Sequence, residues 1–166
     1  MIFEGNWNGY MRNNPVGTVM HSTNGNTDPS DVDKEFNATL NWFSTPNSGA
    51  SAHATIHFGG MVCFHDPELL SSIRTGQANR PRRTWHDLEN NDWYIGIELA
   101  KSKHSTVITD DQLRSAGWLI NACAWLYGFP VAPDQIIEHR NTIPGRRSGK
   151  IDIAGDYTYA RLRQFL

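Results

Sequence analysis

Residues 93–100, WYIGIELA, make the most strand-like run in the chain, and a single carboxylate sits inside it. So short a run with apolar residues on both faces requires cover on each side, which is the environment of an interior strand in a layered sheet. Glu98 must then be paired with a cation or held protonated, because an isolated carboxylate is costly to bury. From the strand alone two readings stand side by side: a structural acid satisfied by a neighbouring Arg or Lys, or an acid whose environment serves chemistry.

The flanking sequence supplies the rest of such a sheet. Val16–His21 is a short β-rich run closed by the turn-forming series Ser22 to Asn26, so His21 falls at a strand end. Asp28 followed by Pro29 reads as a helix start, with Val32, Phe36, Leu40 and Phe43 at helical spacing and Pro46 and Gly49 closing it. Ala52–Phe58 and Met61–Phe64, separated by Gly59 and Gly60, predict a hairpin with a two-residue turn. Residues 65–92 lack a period and read as a long loop with a helical turn near Pro67–Ile73. Thr109 and Gln112 form a capping box ahead of a long helix lined by Leu113, Ala116, Ile120, Cys123 and Tyr127, which Gly128 and Pro130 end. Gln135–Glu138 predicts another short strand leading into His139, then a Gly-, Pro- and Arg-rich loop to Gly155 and a last helix through Leu166. Strands alternating with helices give an α/β fold: a central mixed sheet flanked by helices, in one domain spanning residues 1–166.

Composition bears on partners. With a formal charge of −2, the chain lacks the basic field that nucleic-acid binding requires, so no nucleic-acid partner is expected. The local concentration Arg80, Arg82 and Arg83 reads as a solvated loop or as a rim for an anionic polymer. No apolar stretch approaches the ~18 residues of a membrane span, and residues 1–15 carry neither the charged nor the apolar part of a secretion signal. The expectation is a monomer made in the cytoplasm without a signal peptide and without membrane insertion. Cys63 and Cys123 lie far apart on apolar patterns and read as small core residues.

Three more residues at strand ends and loops have ligand chemistry: His21, His139 in IIEHRNT, and Asp152 in SGKIDIAG. Each alone is as well explained as a polar structural residue. Together, two neutral imidazoles and a carboxylate would leave a fourth tetrahedral position open, as a catalytic zinc needs. Spacing does not establish this, since no short metal motif such as HExxH is present.

Five segments in order, VMHST at 19–23, SAH at 51–53, TWH at 84–86, IGIEL at 95–99 and EHRNTIPGRRSGKID at 138–152, make nearly the whole chain resemble the type 2 N-acetylmuramoyl-L-alanine amidases. That family includes bacteriophage endolysins, muropeptide-recycling amidases and peptidoglycan recognition proteins. The resemblance implies Zn2+ on His21, His139 and Asp152, with Glu98 and Lys150 as catalytic residues. It also implies a peptidoglycan or muropeptide substrate, cut between N-acetylmuramic acid and L-alanine. His53, Trp85 and His86 resemble cleft-lining positions, although packing or hydrogen-bonding roles explain each as well. His57, His65 and His104 carry no motif and read as structural or exposed. Two departures stand out. Ala52 occupies the place where some members have a catalytic tyrosine, which points to the glutamate-using branch. Ile153 replaces the proline that commonly follows the third ligand, so a changed turn with the carboxylate retained is expected.

The same residues leave two rivals: a peptidoglycan-binding module without catalysis, and a zinc peptidase cutting within the stem peptide. Retention of the complete set argues against the first, and only products separate the second. Action on the wall as a phage lysin and action in the cytosol as a recycling enzyme suit the sequence equally.

Overall fold

The computed structural model describes residues 5, 7–23, 31–46, 48–84, 91–101, 107–153 and 157–166. Asp28, Pro29, Trp85, His86, His104 and Gly155, each assigned something above, lie outside these residues.

Five strands, β1 (Gly17–Ser22), β2 (Ala54–Ile56), β3 (Val62–Phe64), β4 (Tyr94–Leu99) and β5 (Ile136–Glu138), form one sheet in the order β3-β2-β4-β1-β5. All pairings are parallel except the β2–β3 hairpin, so the sheet is mixed, as expected. The WYIGIELA run supplies β4, the middle strand. Ile95, Ile97 and Leu99 are fully buried on one face, together with Met20 of β1 and Ala54 and Ile56 of β2. Helix α3 (Asp110–Tyr127) covers that face with Leu113, Ala116, Ile120 and Cys123. Its capping box forms as the sequence predicts, and Gly128 ends it in the left-handed conformation.

The opposite face carries Gly96, Glu98 and Ala100, because side chains alternate along a strand. Helix α1 (Val32–Ser44) covers one end of it, Phe36 and Leu40 packing with Cys63 and Ala100. Its N-cap is Asp31, whose carboxylate accepts from the Lys34 N–H, so within the described residues the helix begins later than Asp28–Pro29 suggests. Both cysteines are buried and free, as core residues.

Several local expectations change. The hairpin turn contains three residues, not two. The His57 N–H donates to Met61 O, the Gly60 N–H donates to His57 O, and Gly60 alone of the two glycines has a positive φ, +80°. A turn closed by one left-handed residue is the three-residue hairpin solution. The helical turn near Pro67 is a nine-residue helix, α2 (Pro67–Thr75), with Asp66 as N-cap and left-handed Gly76 as C-cap. The segment read as loop after His139 contains a 3-10 turn (His139–Asn141) and α4 (Ile143–Arg147). The last helix stops early: α5 (Tyr159–Leu162) gives way to a 3-10 turn at Arg163–Phe165. Among the described residues no helix is long and apolar enough to cross a membrane.

Candidate active site

Strand register assembles the site. His21 of β1 is the partner of Glu98 of β4, and Glu98 is the partner of Thr55 of β2. Partners in register project to one side of a sheet, so Thr55, Glu98 and His21 form a polar row on the face away from α3. β5 extends the row, with Glu138 opposite Met20 and His139 immediately after it.

His139 is almost wholly buried in the 3-10 turn that ends β5. Its carbonyl accepts from both the Thr142 N–H and the Thr142 hydroxyl, and the same hydroxyl accepts the Gly145 N–H as the cap of α4. Gly145 must be glycine: a Cβ there would stand 2.0 Å from His139 O. The α4 segment then returns the chain so that the Arg140 N–H donates to Asp152 O at 2.6 Å and the Lys150 N–H donates to Gly145 O at 2.9 Å. Residues far apart in sequence are thereby brought together.

The Asp152 Oδ2 lies 2.8 Å from His139 Nδ1 and 3.3 Å from His21 Nδ1, and the two imidazole centroids are 4.4 Å apart, edge to face. One ligand atom from each of the three residues falls within 4.8 Å of the others. Ligands at about 2.0–2.1 Å from a tetrahedral zinc stand roughly 3.3 Å from one another, so this donor set fits such an ion. Burial alone would raise the Asp152 pKa, but hydrogen bonds from His139 and His21 outweigh it and hold the group well below the usual carboxylate range. A carboxylate kept ionised beside two imidazoles is the protonation state that metal ligation needs. The Asp152–Ile153 peptide bond is cis, and the carboxylate remains in the cluster despite the missing proline.

Glu98 stands beside this cluster. Its Oε2 is buried and has no hydrogen-bond partner among the described residues. Burial, reinforced by the charge of Asp152, pushes its pKa up to about 8, while His139 and Lys150 pull in the opposite direction. The structural reading of Glu98 as an acid satisfied by direct pairing does not hold at Oε2. Lys150 is half-buried and its charge reaches Glu98.

His53 occupies a different place from the one its motif implies. It is fully buried, and both ring nitrogens meet backbone: the Gly96 N–H donates to Nδ1 at 2.9 Å and Nε2 lies 2.9 Å from Arg82 O. Its ring has no free edge for a ligand. His57 and His65 are structural, as expected, with His57 Nε2 on Asp33 and His65 Nε2 on the Thr55 hydroxyl. Arg82 stacks on Tyr10 and Arg83 pairs with Asp92, so these two arginines are engaged within the fold rather than solvated.

Two buried charges near the site escaped the sequence reading. Glu35 of α1 and Lys101, just past β4, are 3% and 2% exposed; burial lowers the Lys101 pKa, with the charge of Glu35 partly opposing, and the same charge adds a small upward push at Glu98. Glu35 and Thr39 share the buried arc of α1 with Phe36, Leu40 and Phe43, a signal visible at helical spacing. The Thr23 hydroxyl accepts the Lys101 N–H and donates to Lys101 O, tying the end of β1 to the end of β4.

Among solved structures, the chain resembles the N-acetylmuramoyl-L-alanine amidase LysC from Clostridium intestinale URNW at 15% identity and a TM-score of 0.57, covering 99% of this chain and 95% of that one. The catalytic domain of XlyA matches at 16% identity and a TM-score of 0.62, covering 100% and 99%. A mutant endolysin from Bacillus subtilis matches at 17% and 0.62, covering 98% and 91%. At such identities the likeness is one of fold. No curated protein sequence matches the chain. The family model for N-acetylmuramoyl-L-alanine amidase matches residues 11–152, a span that runs from Met11 in front of β1 to the Asp152 carboxylate. On that match over most of its length, the chain belongs to the N-acetylmuramoyl-L-alanine amidase family of enzymes.

Proposed function

We propose that the chain, as a single catalytic domain over residues 1–166, hydrolyses the amide between N-acetylmuramic acid and L-alanine in a zinc-dependent, endolysin-like manner. The observation that carries this reading is the convergence of His21, His139 and Asp152 beside a carboxylate whose buried Oε2 has no hydrogen-bond partner among the described residues. His21, His139 and Asp152 would hold Zn2+ and leave a position open. Bound there, the ion supplies a Lewis acid for the scissile carbonyl and acidifies a water molecule.

Glu98 would take a proton from the attacking water as its oxygen bonds to the lactyl carbonyl carbon. Lys150, whose charge is felt at Glu98, would stabilise the oxyanion that develops. When the C–N bond breaks, Glu98 would return the proton to the alanine nitrogen, leaving a lactyl carboxylate and a free L-alanine amine. A carboxyl group fixed on β4 beside the three proposed ligands is placed for both halves of that exchange. Trp85 and His86 are proposed to contact the substrate. The protein is proposed to act as a monomer on peptidoglycan or muropeptides.

Metal titration tests the first step. Demetallated protein should take up one equivalent of zinc, and His21→Ala, His139→Ala and Asp152→Ala should each abolish uptake without unfolding the chain. Equal uptake by all three variants would refute the ligand set.

A further inference from the structure

We infer that His53 is a positioning residue that clamps the loop of residues 77–84 onto β4, beside the first proposed metal ligand. The link from the clamp to substrate rests on the substrate contacts proposed for Trp85 and His86, which follow this loop in sequence.

The hydrogen-bond geometry fixes the ring's tautomer. A backbone N–H can only donate, so Nδ1, which meets the Gly96 N–H at 2.9 Å, must be the bare nitrogen. The proton therefore sits on Nε2, which donates to Arg82 O at 2.9 Å. One neutral imidazole thus joins the central strand to the loop, with burial lowering its pKa and favouring the neutral form. The ring is fully buried, and Trp7 leans over it with centroids 6.0 Å apart.

The clamp has a counterpart and a direct route to the proposed metal site. The Arg82 N–H donates to Asp66 Oδ2 at 2.8 Å, and the Asp66 N–H in turn donates to His53 O, so Asp66 and His53 between them hold both backbone polar groups of Arg82. On β4, Gly96 is the residue between them and His21: a Cβ built there would lie 3.7 Å from His53 Nδ1 and 3.8 Å from His21 Nε2. Residues 77–84 are therefore referenced to the same stretch of β4 as the first proposed ligand. A loop with few regular hydrogen bonds needs such anchors to keep a fixed relation to a rigid site.

Two variants separate this role from simple burial. Asn at 53 can place an acceptor near Nδ1 but cannot reach Arg82 O, whereas Gln can place an amide donor near Nε2 and loses the Nδ1 acceptor. Amide hydrogen exchange should cross over. His53→Asn should speed exchange at Arg82 and Arg83 while sparing Gly96, and His53→Gln should do the reverse. Each change should be roughly three- to tenfold, the factor one ordinary hydrogen bond allows. His53→Asn should also raise KM for peptidoglycan several-fold with kcat and zinc content held, and His53→Gln should restore KM. Crossover with unchanged KM keeps the clamp and removes Trp85 and His86 from the substrate reading. Loss of zinc content in both variants with no crossover overturns the clamp. The unsubstituted protein gives a check that needs no variant: the 15N signature of His53 should be that of a neutral ring protonated on Nε2, and protonation on Nδ1 would overturn the inference.

Discussion

His21 and Glu98 face each other in register across β1 and β4, the two central parallel strands of the sheet. A proposed metal ligand and a proposed base are thus fixed by sheet hydrogen bonding rather than by a loop, at the strand ends where open α/β sheets bind their ligands. The remaining proposed ligands arrive from one return of the chain, His139 to Asp152, closed over Gly145.

Glu98→Gln should keep zinc binding and fold but lose roughly 10²–10⁴-fold in kcat, the range for removal of a general acid–base group. Turnover of purified peptidoglycan, with zinc content measured on the same sample, checks this. A variant with most of the activity would remove Glu98 from the proton transfers.

Acid stability of the demetallated protein should depend on Asp152. The folded-state pKa is depressed below the ordinary value of 3.8, so the unfolded chain binds this proton first as pH falls. Asp152 therefore contributes stability that is complete above that value and is lost as pH drops through it toward the depressed folded pKa. Urea unfolding of metal-free protein should show this loss below about pH 4, and Asp152→Asn should flatten that part of the profile. An unchanged profile would mean the imidazole contacts are not formed in solution.

His53 should give a separate acid limb. Its pKa is lowered by burial, with Asp66 and the Arg82 carbonyl partly opposing. The unfolded ring gains a proton near pH 6.5 while the folded one stays neutral, so stability from this residue is present above about 6.5 and declines as pH falls further. The difference between the original chain and His53→Gln, measured by chemical unfolding from pH 8 to pH 5 (about the window of an ordinary histidine), should shrink as pH falls. A gap that widens would reverse the assignment.

Gly145→Ala should destabilise by about 1–3 kcal/mol, the usual range for a clash that forces backbone to move. The added Cβ would meet His139 O at 2.0 Å and Thr142 Oγ1 at 2.8 Å. Because His139 shifts with that carbonyl, zinc affinity should fall alongside melting temperature. Weakened stability with unaltered zinc affinity would show that α4 does not set the His139 position.

The parts of this architecture that were legible in the sequence were those with local causes. The capping box at Thr109 and the left-handed glycine at 128 bound α3 as predicted, and the apolar run around Glu98 became the middle strand. Where stabilisation comes from distant partners, the pattern misleads. Helix α2 buries few of its own side chains, chiefly Leu69, and depends on Asp66, which also holds the Arg82 N–H. The α4 segment had its signal in Thr142 ahead of Pro144, hidden by the glycine and arginine content around it. Residue type marked His21, His139 and Asp152 as possible ligands, but spacing could not show their convergence: parallel pairing of β1 with β5 brings His21 to His139, and the return of the chain through α4 brings Asp152. His53 shows the reverse case: the motif located it, but register and burial, not residue type, determine what its nitrogens touch.

The most direct test is digestion of intact peptidoglycan by the purified protein, with chelator and then with added zinc, and with the released fragments identified by mass spectrometry. Free stem peptides beginning at L-alanine, abolished by the chelator and restored by zinc, are the predicted result. Shortened stems still joined to the sugar strand, or release indifferent to the chelator, would contradict the proposed zinc amidase.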